Sequence, residues 1–207
     1  MEGREGETKD TEGVASTCEE AGAPAAGASV AGPDPEVEAL VKWIEDFVGF
    51  PTARPGPQPA QLTDWGLFLG GMEEATDVSR LAELGISATL NVAPSMCGSL
   101  TELYGGTLEC KEIDAEDDEE YPILDLHLDA AVRFLKGIRE QGRRVLVHCY
   151  AGMNRSATLC AAYLVSVERL PLTQAVRVLR ERRGAVLQNR AFTRQLVRLA
   201  RSEGLGS

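Results

Sequence analysis

The stretch Val145-Leu146-Val147-His148-Cys149-Tyr150-Ala151-Gly152-Met153-Asn154-Arg155-Ser156 decides the fold. Its first residues are a short apolar run of the kind that forms a buried strand. Beyond Arg155 the chain turns apolar on nearly all sides through Leu159, Cys160, Ala161, Ala162, Tyr163, Leu164 and Val165, which predicts a buried central helix over residues 156–169. A strand, a short loop and a buried helix in that order are a unit of an α/β domain. In such a loop successive N–H groups can turn inward, and the helix N-terminus adds positive potential, so a tetrahedral dianion is cradled. Gly152 allows a backbone turn that a β-carbon hinders. The same field favours the thiolate form of a cysteine at the loop's start, which is where Cys149 stands. Arg155 closes the loop with a planar fork suited to two oxygens of an oxyanion.

Outward from this segment, short apolar runs alternate with helical patterns. Strands are expected at residues 67–69, 89–92, 108–113 and 144–148, giving a central, mostly parallel sheet of four to five strands flanked by helices. Helical spacing is present around Val78, Leu81 and Leu84 up to Gly85, and through Leu124, Leu128, Ala131, Leu135 and Ile138 up to Gly142. Two further helices are expected, one from Pro171 through Ala175, Val176 and Leu179, the other capped by Asn189 and carrying Phe192, Leu196 and Leu199. Toward the N-terminus, Asp34 and Pro35 suit a helix start, followed by Val37, Leu40, Val41, Ile44, Phe47 and Val48, with Gly49 and Pro51 ending the helix. Residues 51–61 read as an irregular proline-rich connection. Residues 1–33 carry Gly, Ala, Glu and Thr without an aromatic side chain, so a disordered tail is expected there, a catalytic domain over 34–203, and a short tail at 204–207.

A hydrophobic content of 43% over 207 residues suits one core rather than two. The net charge of -11 argues against non-specific binding to nucleic acid or anionic lipid, which depends on excess Lys and Arg. No apolar run is long enough to span a bilayer, the first residues lack a secretory core, and Glu2 excludes myristoylation. The five cysteines, Cys18, Cys97, Cys110, Cys149 and Cys160, show no paired spacing, so neither a disulfide framework nor a zinc site is expected. A reducing cytoplasmic or nuclear setting fits this usage. Cys97, Cys110 and Cys160 read as packed thiols, with a disulfide between Cys149 and one of them as an open redox alternative.

His148, Cys149, Arg155 and Ser156 match the signature His-Cys-x5-Arg-Ser/Thr, and the chain resembles the protein tyrosine phosphatase superfamily, specifically its small dual-specificity members. The resemblance extends through Leu67-Phe68-Leu69-Gly70, Leu90-Asn91-Val92-Ala93 and the C-terminal helices, from about Asp34 to Arg201. It implies a dual-specificity phosphatase-like fold and hydrolysis of phosphotyrosine and phosphoserine or phosphothreonine through a cysteinyl-phosphate. No metal or other cofactor is needed for that chemistry. The neutral loop residues Tyr150, Ala151, Gly152, Met153 and Asn154 set it apart from relatives that act on inositol phosphates or RNA, so phosphorylated proteins are the expected partners.

The acid that protonates the leaving oxygen is expected in the run Asp114, Glu116, Asp117, Asp118, Glu119 and Glu120. Most of this run reads as a solvated loop. The resemblance carries the acid to Asp117, with Asp118 and then Asp114 as alternatives. It also implies that Ser156 donates to the Cys149 sulfur, alongside a capping role, and that Asn91 braces the loop; His148 is expected to order it. His127 reads as a lone exposed histidine. The arginines at 177, 180, 182, 183, 190, 194, 198 and 201 read as solvated helix faces, with docking of an acidic partner or pairing to the acidic loop as alternatives. Two other functions stay open: hydrolysis of a non-protein phosphate ester, and silent binding of phosphoproteins. The oligomeric state is not legible.

Overall fold

The computed structural model describes residues 34–49 and 58–207. The expected tail over 1–33, Cys18 and most of the proline-rich connection lie outside the described residues. The elements run α1 (Pro35–Val48), β1 (Ala60–Gln61), β2 (Leu67–Gly70), α2 (Met72–Thr76), α3 (Val78–Glu83), β3 (Ile86–Asn91), α4 (Pro94–Cys97), α5 (Thr101–Tyr104), β4 (Glu109–Glu112), α6 (Ile123–Glu140), β5 (Arg144–His148), α7 (Arg155–Ser166), α8 (Leu172–Arg183) and α9 (Arg190–Ser202).

The strands form one sheet in the order β1-β2-β5-β3-β4, parallel except for β1. β5 sits at the centre, with Leu146 beside Phe68 of β2 and Thr89 of β3. Its alternating side chains divide the interior. Val145 and Val147 face the larger core, shared with α1 and α6 to α9, whereas Leu146 faces a smaller one with Phe68, Ala75, Leu81 and Tyr104. Because β2, β5 and β3 run parallel, their carboxyl ends lie at the same end of the sheet, where open α/β sheets bind ligands.

Helix starts follow the local chemistry. The Asp34 side chain accepts the Glu36 N–H at 2.9 Å to cap α1, and Asn189 accepts those of Ala191 and Phe192 at 3.0 and 3.2 Å to cap α9. α7 is buried from Arg155 to Val165, as its apolar circumference requires, but it ends at Ser166 rather than near 169. Arg169 adopts φ of 59°, so a left-handed residue breaks the helical path there. Residues 204–207 are not a free tail: Leu205 N–H donates to Ala200, and its carbonyl accepts from Leu172 at 2.9 Å, so the end of the chain folds over the start of α8.

Candidate active site

The loop after β5 is held from several directions. Gly152 has φ of 70°, and a β-carbon there would lie 2.6 Å from the Gly70 carbonyl. Glycine is thus required both for the turn and for the close passage of the loop over β2. Gly71 is equally confined, since a β-carbon would meet the Tyr150 carbonyl at 2.8 Å. Met72 N–H donates to that same Tyr150 carbonyl at 2.9 Å, Leu187 N–H to the Met153 carbonyl at 2.8 Å, and Val92 N–H to the His148 carbonyl at 2.8 Å.

A buried ion pair supports the loop from behind. Arg183 pairs with Glu74 and donates to the Ala151 carbonyl at 3.2 Å, while Glu74 accepts the Gly71 N–H at 2.7 Å. Burial of Glu74 opposes its ionisation, yet the hydrogen bond and charge of Arg183 and the Gly71 amide hold its carboxyl below the usual range. Sequence reasoning placed Arg183 on a solvated face. Its spacing from Leu172, Ala175, Val176 and Leu179 puts it on the buried face of α8 instead, and that spacing was the available signal.

Cys149 lies at the floor of the resulting cavity, 1% exposed. Its sulfur accepts hydrogen bonds from Gly152 N–H at 3.3 Å and Ser156 Oγ at 3.2 Å. Arg155 is buried beside it, donating from Nη1 to the Ala115 carbonyl at 3.2 Å and placing Nη2 3.2 Å from Met96 Sδ. Its Nε has no hydrogen-bond partner among the described residues and lies 3.8 Å from Asp117 Oδ2. The cavity measures about 640 Å³ and is walled by Cys149, Tyr150, Ala151, Met153, Asn154 and Arg155 with Met96, Asp117, Glu119 and Asn189.

The three acid candidates separate clearly. Asp117 faces the cavity, with Asn154 Nδ2 at 3.1 Å from Oδ2 and Asn189 Nδ2 at 3.0 Å from Oδ1. Asp118 turns to the Glu120 N–H at 2.8 Å. Asp114 is bound by the Ser95 hydroxyl and amide, which hold its carboxyl below the usual range. Asn154 also accepts from Gln188 N–H at 2.8 Å, so it ties the acidic loop to the segment leading into α9.

Other expectations meet a mixed outcome. The Asn91 side chain bonds Ala93 N–H and the Gly98 carbonyl at 3.0 and 3.1 Å, within its own connection, and the backbone of Val92 makes the link to the cysteine loop. His148 is fully buried, and burial pushes its pKa down to about 4. His127 is not a lone exposed histidine: it is half-buried, with Nε2 2.6 Å from the Tyr121 hydroxyl, and burial lowers its pKa. Cys97 and Cys160 are buried thiols whose pKa burial raises, whereas Cys110 is only half-buried on the edge strand β4. Arg190, Arg194 and Arg201 neither stand free nor meet the acidic loop; they pair with acids of α1 and its cap.

A family model described as dual specificity phosphatase, catalytic domain, matches residues 67–202. The chain belongs to the dual specificity phosphatase family. The family match begins at β2 and ends with α9, so it contains every cavity residue named above. Dual specificity protein phosphatase 26 of Bos taurus is 37% identical over 138 residues, which are 66% of this chain and 64% of that protein. Dual specificity protein phosphatase 2 of Mus musculus is 36% identical over 133 residues, covering 64% of this chain and 40% of that protein. The chain thus spans less than two thirds of these relatives' own length. Among solved structures, a mouse dual specificity phosphatase complexed with zinc tungstate superposes with a TM-score of 0.63 at 25% identity, covering 74% of this chain and 92% of that one. Human DUSP28 shares the fold, with a TM-score of 0.62 at 24% identity over 74% of this chain and 98% of that one. Among the described residues no helix is long and apolar enough to cross a membrane.

Proposed function

We propose that the chain is a cysteine-dependent protein phosphatase that hydrolyses phosphotyrosine and phosphoserine or phosphothreonine. The observation that carries this reading is the Cys149 sulfur at the cavity floor, hydrogen-bonded by Gly152 and Ser156, with Arg155 on one side and Asp117 facing it across the opening. Tungstate has the tetrahedral shape of phosphate, and the mouse relative's complex with zinc tungstate supports an oxyanion as the ligand of such a cradle.

In the first step the Cys149 sulfur attacks phosphorus, the bond from phosphorus to the ester oxygen breaks, and the Asp117 proton passes to that oxygen. Arg155 and the inward N–H groups of the loop stabilise the equatorial oxygens. In the second step water attacks phosphorus, Asp117 as carboxylate takes its proton, and the sulfur departs toward the Ser156 hydroxyl. Asp117 is favoured over Asp118 and Asp114 because it alone of the three faces the cavity with its carboxylate held by side chains that line it.

Hydrolysis of p-nitrophenyl phosphate by the wild type and Cys149→Ser tests the reading. Turnover is expected in the wild type and none in the variant; equal rates would sink the enzyme assignment. Asp117→Ala is expected to lower kcat by about 100- to 10,000-fold on an alkyl phosphate, where the leaving group needs its proton most. A comparable loss in Asp118→Ala with none in Asp117→Ala would reassign the acid.

A further inference from the structure

The cavity has a cationic floor and an anionic rim. Among the described residues that line it, Arg155 is the only cation, against Asp117 and Glu119. The neighbouring cations are spent elsewhere: Arg183 is closed by Glu74 behind the loop, and Arg190, next to Asn189, by Glu38 and Glu45. The loop over residues 114–120 carries six acids and no base. Asp114, Asp117 and Asp118 have hydrogen-bond donors, but Glu116, Glu119 and Glu120 are exposed and form no ion pair among the described residues. Of these three, Glu119 borders the cavity.

The floor, by contrast, wants an anion. The Arg155 side chain is 6% exposed, and its Nε lacks a hydrogen-bond partner among the described residues. A phosphate dianion satisfies that group but must sit beneath the Glu119 carboxylate, which forms no ion pair among the described residues and repels a ligand whose other charges are also negative. A cation carried next to the phosphate removes the conflict. In an extended peptide, side chains one or two residues from the phosphorylated one lie about 3 to 7 Å along the chain, close enough to meet the rim. Tyr150 and Met96, 53% and 55% exposed, offer apolar surface on the same opening for the stems of such side chains.

Building on the phosphatase reading above, we propose that this site takes a phosphoprotein segment with Lys or Arg within two residues of the phosphorylated side chain, and that Glu119 is the rim residue selecting it. Phosphopeptides flanked by Asp or Glu, and polyphosphorylated small molecules, are disfavoured by the same charges.

The test compares two phosphopeptides, identical except for basic or acidic flanks, with the full-length chain. At low salt kcat/KM is expected to favour the basic peptide by on the order of tenfold, and the ratio should fall toward one near 0.5 M salt as the charges are screened. Glu119→Lys should collapse or invert the ratio, and Glu119→Gln should reduce it, each ratio being read within a single variant. A wild-type ratio near one, a preference for the acidic peptide, faster turnover of an inositol polyphosphate, or a ratio unmoved by Glu119→Lys overturns the proposal. The phosphatase reading is checked separately with p-nitrophenyl phosphate. If that ester is not hydrolysed, the catalytic reading falls, and the same labelled peptides compared by fluorescence anisotropy decide the charge selection as an affinity ratio.

Discussion

His148 carries the first residue of the signature motif, and its ring is fully enclosed, with neither nitrogen hydrogen-bonded among the described residues. Burial sets its pKa near 4, against the ordinary value of 6.5. Between those values the unfolded chain binds a proton that the folded one does not, so stability is complete above pH 6.5 and is lost as pH falls toward 4. The full shift corresponds to about 3 kcal/mol. The depressed carboxylates, Glu74 and Glu38 among them, act in the same direction but only below about 4.5, so the interval above it reports on histidine. His127, also lowered by burial, adds to the slope with the same sign. Urea unfolding from pH 7.5 to 4.5 should therefore show a slope that His148→Asn flattens more than His127→Gln; an unchanged slope in His148→Asn would refute the assignment. At Asn189 two roles can be separated. Asn189→Asp keeps an acceptor for the α9 cap but removes the Nδ2 donor to Asp117, so kcat should fall while thermal stability holds; Asn189→Ala should lower both, with about 1 kcal/mol for the lost cap. Cys149, Arg155 and Ser156 were legible because one contiguous loop brings them together. The partnership of Asp117 with Asn189 was not, because the two residues are 72 positions apart and meet only through the fold.

Helices long enough to show a period were readable in the sequence, and those of four or five residues were not. α6, α7, α8 and α9 each span several turns, so their apolar stripes repeat, whereas α2, α4 and α5 hold 5, 4 and 4 residues and never complete a pattern. β1, with 2 residues, is set by pairing with β2 and was hidden in a stretch that read as irregular. α2 nevertheless matters for the site, because it presents Glu74 to Arg183 at the back of the cysteine loop. Removing one partner leaves the other charge buried and unpaired. Arg183→Met is thus expected to cost about 3 to 5 kcal/mol, and adding Glu74→Met should recover much of that loss because the remaining uncompensated charge is gone. The Ala151 carbonyl and Gly71 amide lose their partners in the double variant, so its kcat should stay low even where stability returns. Chemical denaturation and aryl phosphate kinetics on the same three proteins check both halves. Recovery of kcat together with stability would show that the pair holds the fold and leaves the loop indifferent.

At the scale of the whole molecule, α1 lies outside the stretch matched by the family, yet it shares the main core. Its amphipathic spacing was legible, but spacing tells which face is apolar and says nothing of what covers it. Val37, Val41, Ile44 and Val48 are buried in the core shared with α9, while Phe47 remains 36% exposed, stacked on Trp43 at 5.2 Å with Arg177 above it. Around that apolar seam Arg190 and Arg194 meet Glu38, and Arg201 meets Asp34 and Glu36. Arg194 and then Arg190 hold the Glu38 carboxyl down at about 2. These pairs are reached by solvent and screened by salt, whereas the seam is not. The seam also leads toward the site, since Gln188 donates to the Gly49 carbonyl at 3.2 Å and its own N–H to Asn154. If burial dominates the docking of α1, Ile44→Ala should destabilise the protein by about 2 to 4 kcal/mol at any ionic strength. Glu38→Gln should have a smaller effect that fades between about 0.05 and 0.5 M salt. Both are read by urea denaturation at the two salt concentrations. An Ile44→Ala effect smaller than that of Glu38→Gln would mean that charge, not burial, fastens α1 to the rest of the fold.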